Sequence, residues 1–236
     1  MPRLHSNDVS VASTTADRGL HPFLVAHRAG NELGDLKAAE ELGVALVEAD
    51  IRLFRGRLEV RHLKTAGPIP ILWDRWQLAA PRRPRLELGQ LLEETAPETE
   101  LLLDLKGRRI EAAEAVRSTI SPFLGARRFT VCARSWRLLD AFAGLPVRCV
   151  HSVGSARQLR RLLGRTGEGR LDGISVHQSL LDSDSIAALR AVADLIMTWP
   201  VNHPDRAREL LRLGVDGLIT DDADRLATAS VLEATV

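Results

Sequence analysis

An α/β fold is predicted by three observations. Short runs rich in Val, Ile and Leu alternate with longer segments of helical periodicity, which is the pattern of βα units around a parallel sheet. Eight of those runs can be parallel strands. Three of them are broken near their C-terminal ends by charged residues, where buried parallel strands otherwise read as unbroken apolar runs. Together these features predict a single TIM (β/α)8 barrel with a β-hairpin arm after its second strand.

The strand candidates, in order, are FLVAH (23–27), ALVEADI (45–51), LEVRH (58–62), LLLDL (101–105), FTVCA (129–133), VRCVH (147–151), GISVH (173–177), LIMTW (195–199) and GLIT (217–220). Amphipathic stretches such as LGDLKAAEEL, ARQLRRLLGR, SDSIAALRAVA and PDRARELLRLG lie between them. Nine strands is one too many for the barrel. Only LFRGRL separates the second run from the third, too short a link for a parallel crossover, so LEVRH returns antiparallel as the hairpin arm. A three-residue turn at Arg55-Gly56-Arg57 would set Asp50 opposite His62 on one face, whereas a two-residue turn would shift the parity and turn His62 away. The pattern of the returning arm favours the three-residue turn, since Leu58, Val60 and His62 then share a face.

Residues 1–21 are polar, rich in Ser and Thr, and lack the apolar core of an export signal; they read as a disordered lead-in to a barrel domain spanning 22–236. No apolar run approaches the ~18 residues of a membrane span. With 32 basic and 31 acidic side chains the net charge is +1, which gives no electrostatic case for a nucleic-acid or membrane-surface partner. Two cysteines, Cys132 and Cys149, fit neither a disulfide scaffold nor a zinc motif, and a cytoplasmic location is expected.

The charged residues at the strand ends carry the chemistry, because active sites of such barrels lie at that face. The first strand ends in His27-Arg28. Glu48 and Asp50 share a face of the second, and Asp104 and Lys106 share a face of the next parallel strand. Three converging carboxylates repel unless a cation sits among them, and an all-oxygen set favours one divalent ion, Mg2+ or Ca2+, over zinc. Asp104 and Lys106 also have a plainer reading as an ion pair. His27 and His62 suit acid–base work near neutral pH, and Arg28 and Lys106 suit a phosphoryl group. Metal, two histidines and two cations describe a site that cleaves a phosphodiester.

In order, the motifs HRAG (27–30), VEADI (47–51), EVRH (59–62), PRLELGQLLEE (84–94), LLLDLKG (101–107), MTWPVN (197–202) and GVDGLITDD (214–222) resemble the glycerophosphodiester phosphodiesterase family over nearly everything after residue 22. The resemblance implies a TIM barrel with His27 and His62 as the catalytic pair. It implies Glu48, Asp50 and Asp104 as metal ligands, and Arg28, Lys106 and Trp199 at phosphate and substrate. The implied reaction is hydrolysis of a glycerophosphodiester to an alcohol and glycerol 3-phosphate. Where a free hydroxyl adjoins the ester oxygen, it could attack first and give a cyclic phosphate. Two departures stand out: the family's Glu-Asn-Thr triplet is shortened to Asn31-Glu32-Leu33, and Leu63 follows the second histidine where Asp is usual. The shortened loop and Asp104-Leu105-Lys106 also resemble sphingomyelinase D and phospholipase D toxins. This leaves a lysophospholipid or sphingolipid head-group enzyme, or a silent phosphate-binding barrel, as alternatives.

Other residues have plainer readings. His151 and His177 end strands and are more often structural there; His203 sits in a loop. Trp73 and Trp76 fall in the long loop after His62, as lid or anchor. Arg82-Arg83-Pro84-Arg85 reads as a solvated loop face, and Cys132 and Cys149 as small thiols in adjacent strands.

Overall fold

The computed structural model describes residues 22–66, 69–74, 77–79, 85–165 and 169–232. The expected lead-in, Trp76 and 82–84 lie outside them.

Eight strands form a closed parallel barrel: β1 Phe23–Ala26, β2 Leu46–Phe54, β3 Glu100–Leu105, β4 Phe129–Ala133, β5 Arg148–Val153, β6 Leu171–His177, β7 Ala193–Trp199 and β8 Gly217–Thr220. Each pairs with the next, and β1 closes the ring by pairing with both β8 and β2. The helices α1 Leu33–Glu41, α2 Leu88–Glu94, α3 Ile110–Ile120, α4 Ala156–Leu163, α5 Ser183–Val192, α6 Pro204–Arg212 and α7 Ala223–Thr228 lie between strands or follow the last. A 3-10 segment, Trp136–Phe142, stands where a helix would link β4 to β5.

Period-two alternation divides each strand between two environments. Val25, Leu46, Leu102, Cys132, Val150, Leu195, Met197 and Ile219 fill the barrel interior. Their neighbours face the helices in two further buried clusters, for example Val47, Ala49, Leu101 and Leu103 under α1 to α3. Each fully buried Leu or Val contributes about 1.5–3 kcal/mol relative to exposure. Close packing explains Gly217: a Cβ there would come within 2.7 Å of the Phe23 ring and 2.8 Å of Met197 Cγ. Helix starts follow local chemistry. Ser155, Asp182 and Asp222 accept backbone N–H bonds at the N-termini of α4, α5 and α7.

The antiparallel arm, Arg57–Val60, pairs with β2 as expected, but through a different turn. Phe54 pairs with Arg57 and Leu53 with Leu58, so the turn has two residues, Arg55 (φ 50°) and Gly56 (φ 79°). Both central residues are left-handed, the geometry that matches strand twist in two-residue hairpins. Arg61 rather than His62 therefore stands opposite Asp50, and its N–H donates to the Asp50 carbonyl (2.8 Å). The stretch between His62 and β3 is also not a plain loop. It holds a three-stranded antiparallel sheet, Lys64–Ala66, Ile69–Asp74 and Gln77–Ala79, with Trp73 on its middle strand, followed by α2.

Candidate active site

All eight parallel strands present their C-terminal ends at one mouth, and the charged residues singled out above gather there. At the end of β1 the chain passes through Arg28 in a left-handed conformation (φ 60°, ψ 6°), a costly state for a non-glycine residue. That twist aims the Arg28 N–H at Glu48 Oε2, 2.6 Å away. The following 3-10 turn, Ala29–Asn31, lies directly on β2. A Cβ on Gly30 would meet Ala49 Cβ at 2.8 Å and the Glu48 carbonyl at 3.1 Å. This close approach lets Asn31 bracket Asp50, donating from Nδ2 to Oδ2 and accepting the Asp50 N–H at Oδ1, both at 2.8 Å. Asn31, part of the shortened triplet, is thus a site residue that the sequence reading did not assign. Glu32 is exposed at the start of α1.

His62 reaches the carboxylates by a route that strand parity forbids. The ladder stops at Val60, and the chain bends at His62, held by Arg52 Nη2 on the His62 carbonyl (3.2 Å) and by Arg61 on Glu59 and the Leu63 carbonyl. The bend brings His62 Nδ1 to 3.2 Å from Asp50 Oδ2, while Arg28 Nη2 donates to His62 Nε2 at 3.0 Å. An Nε2 that accepts from arginine assigns Nδ1–H as donor to Asp50, the neutral tautomer.

Glu48, Asp50 and Asp104 each offer an oxygen within 4.8 Å of the others. Glu48 and Asp50 are buried, and Asp104 is partly so. Lys106 lies among them, its ammonium on Asp104 Oδ2 and 2.5 Å from Asp50 Oδ1, so the plainer ion-pair reading of Asp104 and Lys106 holds as well. Burial, reinforced by the Asp50 and Asp104 charges, pushes the Glu48 carboxyl well above its ordinary value. Burial acts the same way on Asp50, but the His62 hydrogen bond and Lys106 outweigh it and hold that carboxyl well below the carboxylate range. Burial disfavours the Lys106 charge, yet the three carboxylates overcome it and keep the ammonium protonated. The net charge of the group is still negative. Asp104 Oδ1 is a buried oxygen without a hydrogen-bond donor among the described residues, and the donor set is all oxygen; these residues fit a hard divalent cation.

On the other side of Arg28, His27 Nδ1 lies 2.6 Å from Asp221 Oδ1, just past β8. Asn202 fixes Asp221, donating from Nδ2 to Oδ2 (2.9 Å) and accepting the Asp221 N–H at Oδ1 (2.9 Å). The His27 bond, against the opposing effect of burial, lowers the Asp221 carboxyl to about 2. Asp221 and Asn202 lie within the motifs GVDGLITDD and MTWPVN, neither of which by itself assigns them a role. Parity was the available signal, since Asp221 follows Ile219 on the inward face of β8. Trp199 ends β7 at the mouth, its indole N–H toward the Ser175 carbonyl (3.5 Å) and its ring edge-on to His177 at 4.9 Å. His177 also bonds Ser179 Oγ (2.8 Å). His151 points out to Trp136 and Arg165, away from the site, and His203 flanks α6. Cys132 is buried in the barrel, and burial raises its thiol well above the ordinary value; for Cys149 the rise is to about 12.

Fold and site thus define a (β/α)8 barrel whose C-terminal mouth holds a carboxylate triad between two histidine–aspartate pairs. No family model and no curated protein matches the chain. Among solved structures it is similar to a phosphodiesterase from Oleispira antarctica in complex with the product sn-glycerol-3-phosphate (19% identity, 89% of this chain and 96% of that one, TM-score 0.71). It is also similar to the glycerophosphodiester phosphodiesterases of Thermotoga maritima (20% identity, 88% and 98%, TM-score 0.71) and Parabacteroides distasonis (19%, 91% and 98%, TM-score 0.68). The fold is therefore the one the motif resemblance implies, that of the glycerophosphodiester phosphodiesterases. Among the described residues, no helix is long and apolar enough to cross a membrane.

Proposed function

We propose that the chain is a phosphoric diester hydrolase that cleaves a glycerophosphodiester to an alcohol and glycerol 3-phosphate. The observation that carries this reading is the meeting of the Glu48–Asp50–Asp104 triad with two carboxylate-oriented histidines in one barrel mouth. The shared fold with phosphodiesterases, one holding sn-glycerol-3-phosphate, supports it.

Glu48, Asp50 and Asp104 hold one divalent ion, Mg2+ or Ca2+; when bound it supplies Lewis-acid stabilisation of phosphoryl charge. Arg28 and Lys106 bind phosphate oxygens, and Trp199 lines the substrate side. His27 and His62 divide the proton transfers. His27 donates Nδ1–H to Asp221, leaving the Nε2 lone pair to take a proton from the attacking water. His62, oriented by Asp50 and touching Arg28, protonates the departing oxygen once it has gained a proton of its own.

Hydrolysis of glycerophosphocholine, glycerophosphoethanolamine, glycerophosphoserine and lysophosphatidylcholine with Mg2+ or Ca2+, and with chelator, tests the reading. The expected result is chelator-sensitive release of glycerol 3-phosphate, reduced about 10²-fold or more by His27→Ala and by His62→Ala. Turnover that survives both substitutions overturns the two-histidine mechanism.

A further inference from the structure

The half of the mouth opposite the carboxylate triad carries its own charge, on β4. Inward parity runs Thr130, Cys132, Arg134: Thr130 bonds buried Glu100, and Cys132 lies in the interior core. Arg134, one residue past β4, continues that column to the rim, where it is exposed. Its side chain crosses the end of β5 at Gly154, where a Cβ would collide with the guanidinium, and stops with Cζ 6.0 Å from the centre of the Trp199 ring on β7. Leaning over β5 toward β7 carries the guanidinium away from Asp104 on β3. Among the inward residues ending β4 to β7 (Arg134, Gly154, His177 and Trp199), Arg134 supplies the permanent charge. It has no carboxylate partner among the described residues.

We propose that Arg134, stacked on Trp199 and given room by Gly154, is a specificity-determining residue that selects substrates whose leaving alcohol carries an anionic group. This deepens the hydrolase reading and rests on it. A scissile phosphate at Arg28, Lys106 and the triad leaves its alcohol to extend across the mouth toward β4–β7. A guanidinium there offers planar paired donors that match a carboxylate or phosphate. The same cation occupies the indole face that a quaternary ammonium would need, and it repels that group by charge. An alcohol bearing only a cation is therefore disfavoured.

Glycerophosphoserine and glycerophosphoethanolamine differ by one carboxylate and isolate this effect. The expected kcat/KM ratio of serine to ethanolamine ester is about tenfold or more in the native chain, with the choline ester poorest. Arg134→Gln brings the ratio to within about twofold of one, and Arg134→Lys restores part of it. Gly154→Ala, which places a methyl where the guanidinium lies, lowers it without removing the charge. A ratio near one in the native chain, or one unmoved by Arg134→Gln, overturns the assignment. Titration calorimetry of the three compounds against the divalent-ion-loaded protein reads the same ratio as affinity. A chain that binds selectively without turnover would thus fail as a hydrolase while upholding Arg134, and one that hydrolyses without selectivity would do the reverse.

Discussion

Asp221 Oδ1 lies 2.6 Å from His27 Nδ1, joining two residues 194 positions apart at the seam where β8 closes against β1. The closing strand thereby orients the first histidine, as Asp50 on β2 orients the second. Each histidine is thus held by a carboxylate from a different strand end, and the first of these pairs forms only because the ring closes.

Asp221→Asn keeps the size of the side chain but offers an amide where Nδ1–H needs an acceptor, so the other tautomer becomes competitive. Steady-state kinetics should show kcat lowered roughly 10²-fold, with KM changed by less. Equal losses in the two constants would mean that Asp221 shapes binding instead.

The same pair sets a stability slope in acid. Asp221 titrates at about 2 in the folded chain against an ordinary 3.8, so in that interval the unfolded state binds more protons. Its contribution is fully present above about pH 4 and is lost as pH falls toward 2. Urea midpoints should drop over this range, and by less in Asp221→Asn. The side chain is half exposed, so solvent screening keeps the effect small.

A divalent ion on the triad should stabilise the fold by mass action. At a hundredfold excess over Kd the gain is ~2.7 kcal/mol, which for a domain of this size raises Tm by roughly 5–10 °C. Calorimetry with and without chelator measures it. Glu48→Gln and Asp104→Asn should abolish most of the shift, and Glu48→Gln should leave the chelated protein as stable or more so, because it removes a buried carboxylate that repels its neighbours.

Gly30→Ala should damage both fold and site. The new methyl lands on Ala49 Cβ, and β2 cannot move without disturbing the barrel, so a cost of about 1–3 kcal/mol is expected in denaturant unfolding. Lifting the turn also loosens Asn31 from Asp50, so activity should fall further than stability alone explains.

Much of this protein was legible along the chain. All nine expected strands appear where apolar runs placed them, the barrel strands because burial on both faces demands apolar residues; the three-stranded sheet within 64–79 was not foreseen. The carboxylate triad was readable because Glu48, Asp50 and Asp104 are polar exceptions inside such runs, and a period of two fixes their face. Composition could not set the hairpin turn. Arg55 is a rare occupant of a left-handed turn position, so nothing in RGR announced a two-residue loop. The expected three-residue turn was therefore wrong, yet His62 still lies beside Asp50 as expected, because the ladder ends at Val60 and the chain bends beyond it. The local sequence thus determined the elements and the inward faces, through periodicities that act over a few residues. The tertiary structure alone decided the partnerships: Asn31 on Asp50, Asp221 and Asn202 behind His27, and Arg134 over Gly154 to Trp199. Those contacts join the ends of different strands, and only the packing of the barrel brings their side chains together, with closure of the ring needed for the pair at His27.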